Sequence, residues 1–246
     1  MNDLKEVAWG YDQLGDDWYF EAQFTRFEKI GKVLHKYYNG GKFLDVGGLS
    51  GRIGRHYISS AGIPMSSYYI SDFAPGKLAD AEKVGFNTIF WEIGKADPLP
   101  EYFFDLCLCA EVIEHIFDTE SLLHSLHKTL KTGGHLFLTT PNLVQWRNRF
   151  RMLFGKSPFH GNAPSIHTHL DPFLSYEHIR ICVLEEWIHL LRTCGFRIVE
   201  TVGLYSRTAH DTHFLGRVSR LIDRFFERFP SMSVHVGIIA QKTGNP

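Results

Sequence analysis

The sequence predicts an α/β fold, a mostly parallel sheet with helices on both faces. Three observations carry that expectation. Short apolar runs alternate with helical segments along most of the chain, the pattern of a parallel sheet buried on both sides. The first run, Phe43-Leu44-Asp45-Val46, passes directly into Gly47-Gly48-Leu49-Ser50-Gly51, a cluster suited to a sharp strand-to-helix bend. A second run ends in Asp72, about 25 residues on, which is room for one helix and one strand of a right-handed βαβ unit.

Each element has its own signal. Trp18–Tyr38 repeats Phe20, Phe24, Phe27, Ile30, Leu34 and Tyr37 at helical spacing, and Asn39-Gly40-Gly41 ends it. Strand one is 43–46, followed by a helix over 52–60. Strand two ends at Asp72, and a short helix over 77–84 leads to strand three, 88–92. Asp97-Pro98-Leu99-Pro100 is a loop before strand four, 104–110. A helix over 119–130 closes at Lys131-Thr132-Gly133-Gly134, with lysine at its carbonyl end. Strand five is 135–140. The stretch 141–181 breaks the alternation and is read as an insertion. A helix over 183–194, strand six over 196–202, an amphipathic helix over 214–229 and strand seven over 234–241 complete the order. The chain therefore reads as one domain, 1–246, with an N-terminal helical cap (1–40), an insertion expected to form an acceptor lid (141–181) and an amphipathic helical insertion (205–230).

Bulk properties exclude several classes. The 246 residues carry a net charge of -1, which argues against general nucleic-acid binding. Cys107, Cys109, Cys182 and Cys194 form no CxxC pair, and Cys107 and Cys109 lie in an apolar run as small core residues. No apolar leader and no membrane-spanning run are seen, so the expectation is a cytoplasmic protein, peripheral to a membrane at most.

In such sheets ligands sit at the carboxyl ends of the strands. The Gly-rich bend, Asp72, Glu92 and Ala110-Glu111 all fall on that edge. An acid at the tip of the second strand can accept hydrogen bonds from both hydroxyls of a ribose. A packing role for the glycines and a turn role for Asp72 ahead of Ala74-Pro75-Gly76 are the plainer alternatives.

Taken together, these residues resemble the class I S-adenosylmethionine-dependent methyltransferases over about Gly40–Val202. Asp45-Val46-Gly47-Gly48-Leu49-Ser50-Gly51 resembles the family's acid-x-Gly-x-Gly-x-Gly motif, with Leu49 in place of the middle glycine. Leu99-Pro100, Phe104-Asp105-Leu106, Glu111-Val112-Ile113-Glu114-His115-Ile116, Leu130-Lys131-Thr132-Gly133-Gly134 and Thr140-Pro141-Asn142 follow in the family's order, as do His178-Ile179-Arg180 and Cys194-Gly195-Phe196. The resemblance implies a Rossmann-like, seven-stranded sheet with strand seven antiparallel. It implies S-adenosylmethionine as cofactor, held by Asp45, Gly47, Gly48, Gly51, Asp72, Glu92, Ala110 and Glu111.

Methyl transfer is an in-line displacement, and an oxygen acceptor must also lose a proton. His115, just past strand four, is the candidate base, with Glu114 beside it; the plainer reading is that both brace the next helix. The pattern Glu111, Glu114, His115 also resembles the metal site of ubiquinone-biosynthesis O-methyltransferases and of small-RNA 2′-O-methyltransferases. That implies a divalent ion, magnesium or manganese, with His178, His167 or His169 as the remote ligand.

The insertion carries Trp146, Arg147, His160, His167, His169 and His178 as candidate acceptor-binding residues, and no acid from Leu143 to Lys156. A sugar or other small molecule, phosphorylated or lipid-linked, suits that charge and an expected role in surface-glycan assembly. The 214–229 helix places Phe214, Val218, Leu221, Ile222, Phe225 and Phe229 opposite Arg217, Arg220, Arg224 and Arg228. Its apolar face is expected to pack on the core; a homodimer contact and an anionic membrane surface are the other uses. Tyr11, Trp18, Tyr19 and Arg26 are expected as packing or as a cofactor lid.

Three competing readings stand beside this one. A nicotinamide oxidoreductase needs Gly-x-Gly-x-x-Gly, and Gly47, Gly48 and Gly51 are off by one. A non-catalytic module with this fold is favoured by Leu49 and opposed by the retained acids. An RNA methyltransferase has the net charge against it.

Overall fold

The computed structural model describes residues 16–95, 97–158, 178–205 and 214–244, the side chains of 16–22, 214 and 215 aside. Seven strands form one sheet in the order β3-β2-β1-β4-β5-β7-β6. They are β1 (Phe43–Val46), β2 (Tyr68–Asp72), β3 (Asn87–Phe90), β4 (Phe104–Ala110), β5 (Leu130–Pro141), β6 (Phe196–Leu204) and β7 (His235–Lys242). β1 pairs in parallel with β2 and β4, and β7 runs antiparallel to both β5 and β6. The α-helices among the described residues are α1 (Asp16–Tyr37), α2 (Arg52–Ala61), α3 (Pro75–Lys83), α4 (Thr119–Thr129), α5 (Trp146–Leu153), α6 (Leu184–Thr193) and α7 (Phe214–Phe226).

Strand alternation sorts side chains into two cores. Leu44, Val46, Cys107 and Cys109 face one core with Leu122, Leu126, Trp187 and Leu191 of α4 and α6. Phe43, Leu106 and Leu108 face the other with Ile30 and Leu34 of α1, Tyr57 of α2 and Leu78 of α3. The cysteines are free and those of β4 are fully buried, as the apolar run predicts.

Two expectations change. β5 begins at Leu130 rather than 135: Leu130 pairs with Phe104, and a register shift follows between Phe104 and Leu106. The Lys131–Gly134 segment is therefore an irregular strand entry, and Lys131 pairs with Asp105 at 2.8 Å.

The second change concerns α7. Val218, Leu221, Phe225 and Phe229 are exposed and Ile222 is half-buried, so most of the apolar stripe turns away from the core. Asp223 is buried instead, held by Trp146 Nε1 at 2.8 Å and by the Arg147 guanidinium at 2.5 Å. Glu227 pairs with Lys29 of α1 at 2.7 Å. Asp223, with Glu227 just past the end of α7, fixes which face turns inward, because a buried carboxylate must find its cation.

Candidate active site

The bend after β1 is built on left-handed backbone at Gly47, Leu49 and Gly51, with φ of 74°, 50° and 77°. Leu49, the departure from the motif, thus adopts the conformation a glycine would take there. A Cβ on Gly51 would strike the Phe86 ring, and one on Gly48 would lie 2.9 Å from Asp45 Oδ2. Gly47 abuts Val112: a Cβ there would lie 2.6 Å from Val112 Cγ2. That close approach puts the β1 bend against the segment that follows β4.

Both acids of the edge sit under this bend. The Asp45 carboxylate is buried and accepts the Tyr68 hydroxyl at 2.7 Å. Burial, with the nearby Asp72 charge, pushes it up to about 7 despite that hydrogen bond. Asp72 accepts Leu49 N–H at 3.1 Å and Ala74 N–H at 3.0 Å, so it ties the bend to the β2 tip. A carboxylate at the β2 tip beside a Gly-rich bend suits a nucleoside bearing hydroxyls and would repel a pyrophosphate. The residues present therefore fit S-adenosylmethionine. Glu92, just beyond β3, is half-buried and pairs with Lys95 at 2.7 Å.

Past β4 the chain turns sharply. Ala110 is the last strand residue and Glu111 has φ 56°. A short 3-10 turn, Ile113–His115, follows, with His115 N–H donating to Val112 O at 3.0 Å. Glu111 turns toward α1 and β7. Its Oε2 lies 2.8 Å from the Arg26 guanidinium and 2.8 Å from His235 Nδ1, and its Oε1 accepts Thr139 Oγ1–H at 2.9 Å. Burial opposes ionisation of Glu111, but Arg26 and His235 outweigh it and hold the carboxyl well below the usual range.

Glu114 points elsewhere and is fully buried. Its Oε2 accepts Thr140 Oγ1–H at 3.3 Å, and its Oε1 has no hydrogen-bond partner. Burial, then the Glu111 charge, raises it well above the carboxylate range. Residues 178–180 dock on this turn. Ile179 and Arg180 donate their N–H groups to Glu114 O at 2.9 and 3.0 Å, and Arg180 Nε donates to Phe117 O at 3.0 Å. His178 thereby reaches the site from 63 positions away: its Nε2 lies 3.7 Å from Glu114 Oε1, and the His115 and His178 rings are 5.0 Å apart. Burial and the neighbouring His115 push His178 down to about 4, so it is neutral near pH 7. One ligand atom from each of Glu114, His115 and His178 lies within 4.8 Å of the others.

Of the expected residues, Glu114, His115 and His178 are brought together, and Glu111 is not among them. Trp146 and Arg147 join α5 to α7 through Asp223 and do not enter the cluster. His160, His167, His169 and Tyr11 lie outside the described residues, as do the Trp18 and Tyr19 side chains. Sequence reasoning missed His235 and Thr139. Thr139 lies opposite Ala110 in the parallel β4–β5 pairing, and His235 is carried in on β7, one strand further out, so no local signal marks either.

Comparison with known proteins agrees with this geometry. Residues 18–201 match the family model described as a methyltransferase domain. A ubiquinone biosynthesis O-methyltransferase of Pseudomonas syringae pv. tomato is 31% identical over 151 residues, 57% of this chain and 64% of that protein. A probable S-adenosylmethionine-dependent methyltransferase of Mycolicibacterium smegmatis is 28% identical over 108 residues, 44% of this chain and 34% of that protein. The chain thus spans less than two thirds of the length of either curated relative. Among solved structures, a SAM-dependent methyltransferase of Thermotoga maritima, described as a possible histamine N-methyltransferase, shares 15% identity at a TM-score of 0.64, covering 96% of this chain and 100% of that one. That likeness concerns the fold, and with a family match spanning most of the sequence it completes the assignment: the chain belongs to the class I S-adenosylmethionine-dependent methyltransferases.

Proposed function

We propose that the protein transfers a methyl group from S-adenosylmethionine to a hydroxyl of a small molecule or sugar. One observation carries the reading. Gly47 of the cofactor bend abuts Val112, and Glu114 and His115 follow within one turn. His115, the candidate base, therefore lies within one turn of the place where the methyl donor would sit.

When bound, the cofactor supplies a methyl on a sulfonium, and the protein supplies geometry. Asp72 would accept hydrogen bonds from the cofactor's ribose. His115 takes the acceptor's proton as the oxygen forms its new bond to carbon. The buried Glu114 holds the turn through its carbonyl, which receives both Ile179 and Arg180 N–H groups. His178, uncharged, keeps that pocket free of a competing positive charge. The 31% identity to a ubiquinone biosynthesis O-methyltransferase supports oxygen as the acceptor atom.

The test supplies isotopically labelled cofactor with a panel of hydroxylated small molecules and sugars, and reads the methylated atom by mass spectrometry and NMR. The expected product is an O-methyl ether. His115→Ala should lower kcat by about 100- to 10,000-fold with an unchanged thermal midpoint. A product methylated at nitrogen or carbon, or full activity in His115→Ala, contradicts the reading.

A second reading has its own observation. Glu114 Oε1 and His178 Nδ1 are both buried without a hydrogen-bond partner. With His115 the two side chains form a set of one carboxylate and two imidazoles, which suits manganese better than magnesium, and such an ion would polarise the acceptor hydroxyl as a Lewis acid. Activity that falls in chelator and returns with either ion supports it; unchanged activity in chelator leaves His115 as the base.

A further inference from the structure

We propose that α5 and α7 together form a docking surface for an anionic lipid bilayer. The argument starts from the inverted orientation of α7. A surface helix normally buries its apolar stripe and wets its charges. Here the two acids of the 214–229 stretch, Asp223 and Glu227, are turned inward and paired with Arg147 and Lys29. The side left to solvent carries Leu221, 67% exposed, with Phe225 and Phe229 about half exposed. Arg217, Arg224 and Arg228 are exposed on the same side, and among the described residues none of the three forms an ion pair.

α5 repeats the pattern. Leu153 and Phe154 are 75% and 72% exposed, and Phe150 is 55% exposed. Arg149, Arg151 and Lys156 accompany them, with no acid from Leu143 to Pro158. The two helices are locked as neighbours. Asp223 of α7 receives both Trp146 Nε1–H and the Arg147 guanidinium of α5, and the Trp146 and Phe226 rings stack at 5.6 Å. Side chains this large, exposed in this number on adjoining helices, mark an interaction surface rather than scattered apolar residues.

Charge selects the occupant. The two segments hold eight basic residues and two acids in a chain whose net charge is -1. Both acids are already neutralised inside the fold. A second copy docking face to face would set arginines against arginines. A bilayer rich in anionic headgroups matches both features: its acyl boundary takes the phenylalanines and leucines, and its phosphates take the arginines. No helix among the described residues is long and apolar enough to cross a membrane, so the contact is in the plane of the surface.

Sedimentation of the full chain with vesicles tests the proposal. Wild type should pellet with vesicles containing phosphatidylglycerol, stay in solution with phosphatidylcholine alone, and be released by high salt. Arg217→Glu with Arg224→Glu and Arg228→Glu should weaken the partition at least about tenfold. Leu221→Ser with Phe225→Ser should weaken it comparably, with the circular dichroism spectrum of each variant unchanged. The wild-type comparison needs no variant and stands if a variant fails to fold. Absence of vesicle binding, or equal binding to neutral and anionic vesicles, overturns the proposal. So does concentration-dependent dimerisation, read by light scattering, that the Leu221/Phe225 variant abolishes.

Discussion

Glu111 and Glu114 leave the same strand end three residues apart and meet opposite surroundings. Glu111 lies against Arg26, His235 and Thr139, and is held charged. Glu114 lies deeper, with one oxygen unpartnered and a raised affinity for its proton. Positive φ at Glu111 is the backbone device that separates them, because it sends the two side chains to different walls. One glutamate thus ties α1 and β7 to the edge of the sheet, while the other stays poised in the cluster with His115 and His178.

The largest effect that would break this contrast comes from Arg26. Arg26→Ala leaves Glu111 buried with only His235 to compensate it, and should cost about 3 kcal/mol by chemical denaturation. Arg26→Met combined with Glu111→Gln should recover most of the loss, since no buried charge is then left alone. A loss under about 1 kcal/mol for the single variant would mean that Glu111 does not depend on Arg26.

Asp45 sharpens the contrast through pH. Its carboxyl is raised in the fold to about 7, the reverse of Glu111. Between about 4 and about 7 the folded chain holds a proton that the unfolded chain has released, so this group's contribution to stability falls as pH rises through that window and is level above it. Asp45→Asn keeps an acceptor for the Tyr68 hydroxyl and removes the titration. Relative to wild type it should therefore be more stable at pH 8 than at pH 5, measured by urea denaturation at each pH. A pH-independent difference contradicts the assignment.

The smallest effect concerns Leu49, whose φ of 50° is a glycine conformation. Leu49→Gly relieves that strain but frees the unfolded backbone, so the net gain should be no more than about 1 kcal/mol. A clear loss in stability would show that Leu49 side-chain packing outweighs its backbone strain.

Much of the sheet was legible because it rests on local rules. Apolar runs, the glycine bend and the acid at the β2 tip are adjacent-residue signals, and β1 and β4 fall at the residues those signals mark. The start of β5 was not legible, because Leu130 joins the strand through pairing with Phe104 across the sheet. Nor was the orientation of α7. Periodicity shows that a helix has two faces, and only the partners of Asp223 and Glu227 decide which turns inward. In the candidate site, the Glu114-His115 turn was visible from its sequence. The Arg26–Glu111–His235 group was not, since its members lie 85 and 124 residues apart and meet only through the fold.

The most direct test of the account is calorimetric titration of S-adenosylhomocysteine into wild type and Asp72→Ala. The account predicts saturable binding at one site, weakened about 10- to 100-fold in the variant through loss of charge-assisted hydrogen bonds. No heat and no thermal protection with wild type, or an equal Kd in the two proteins, would contradict it.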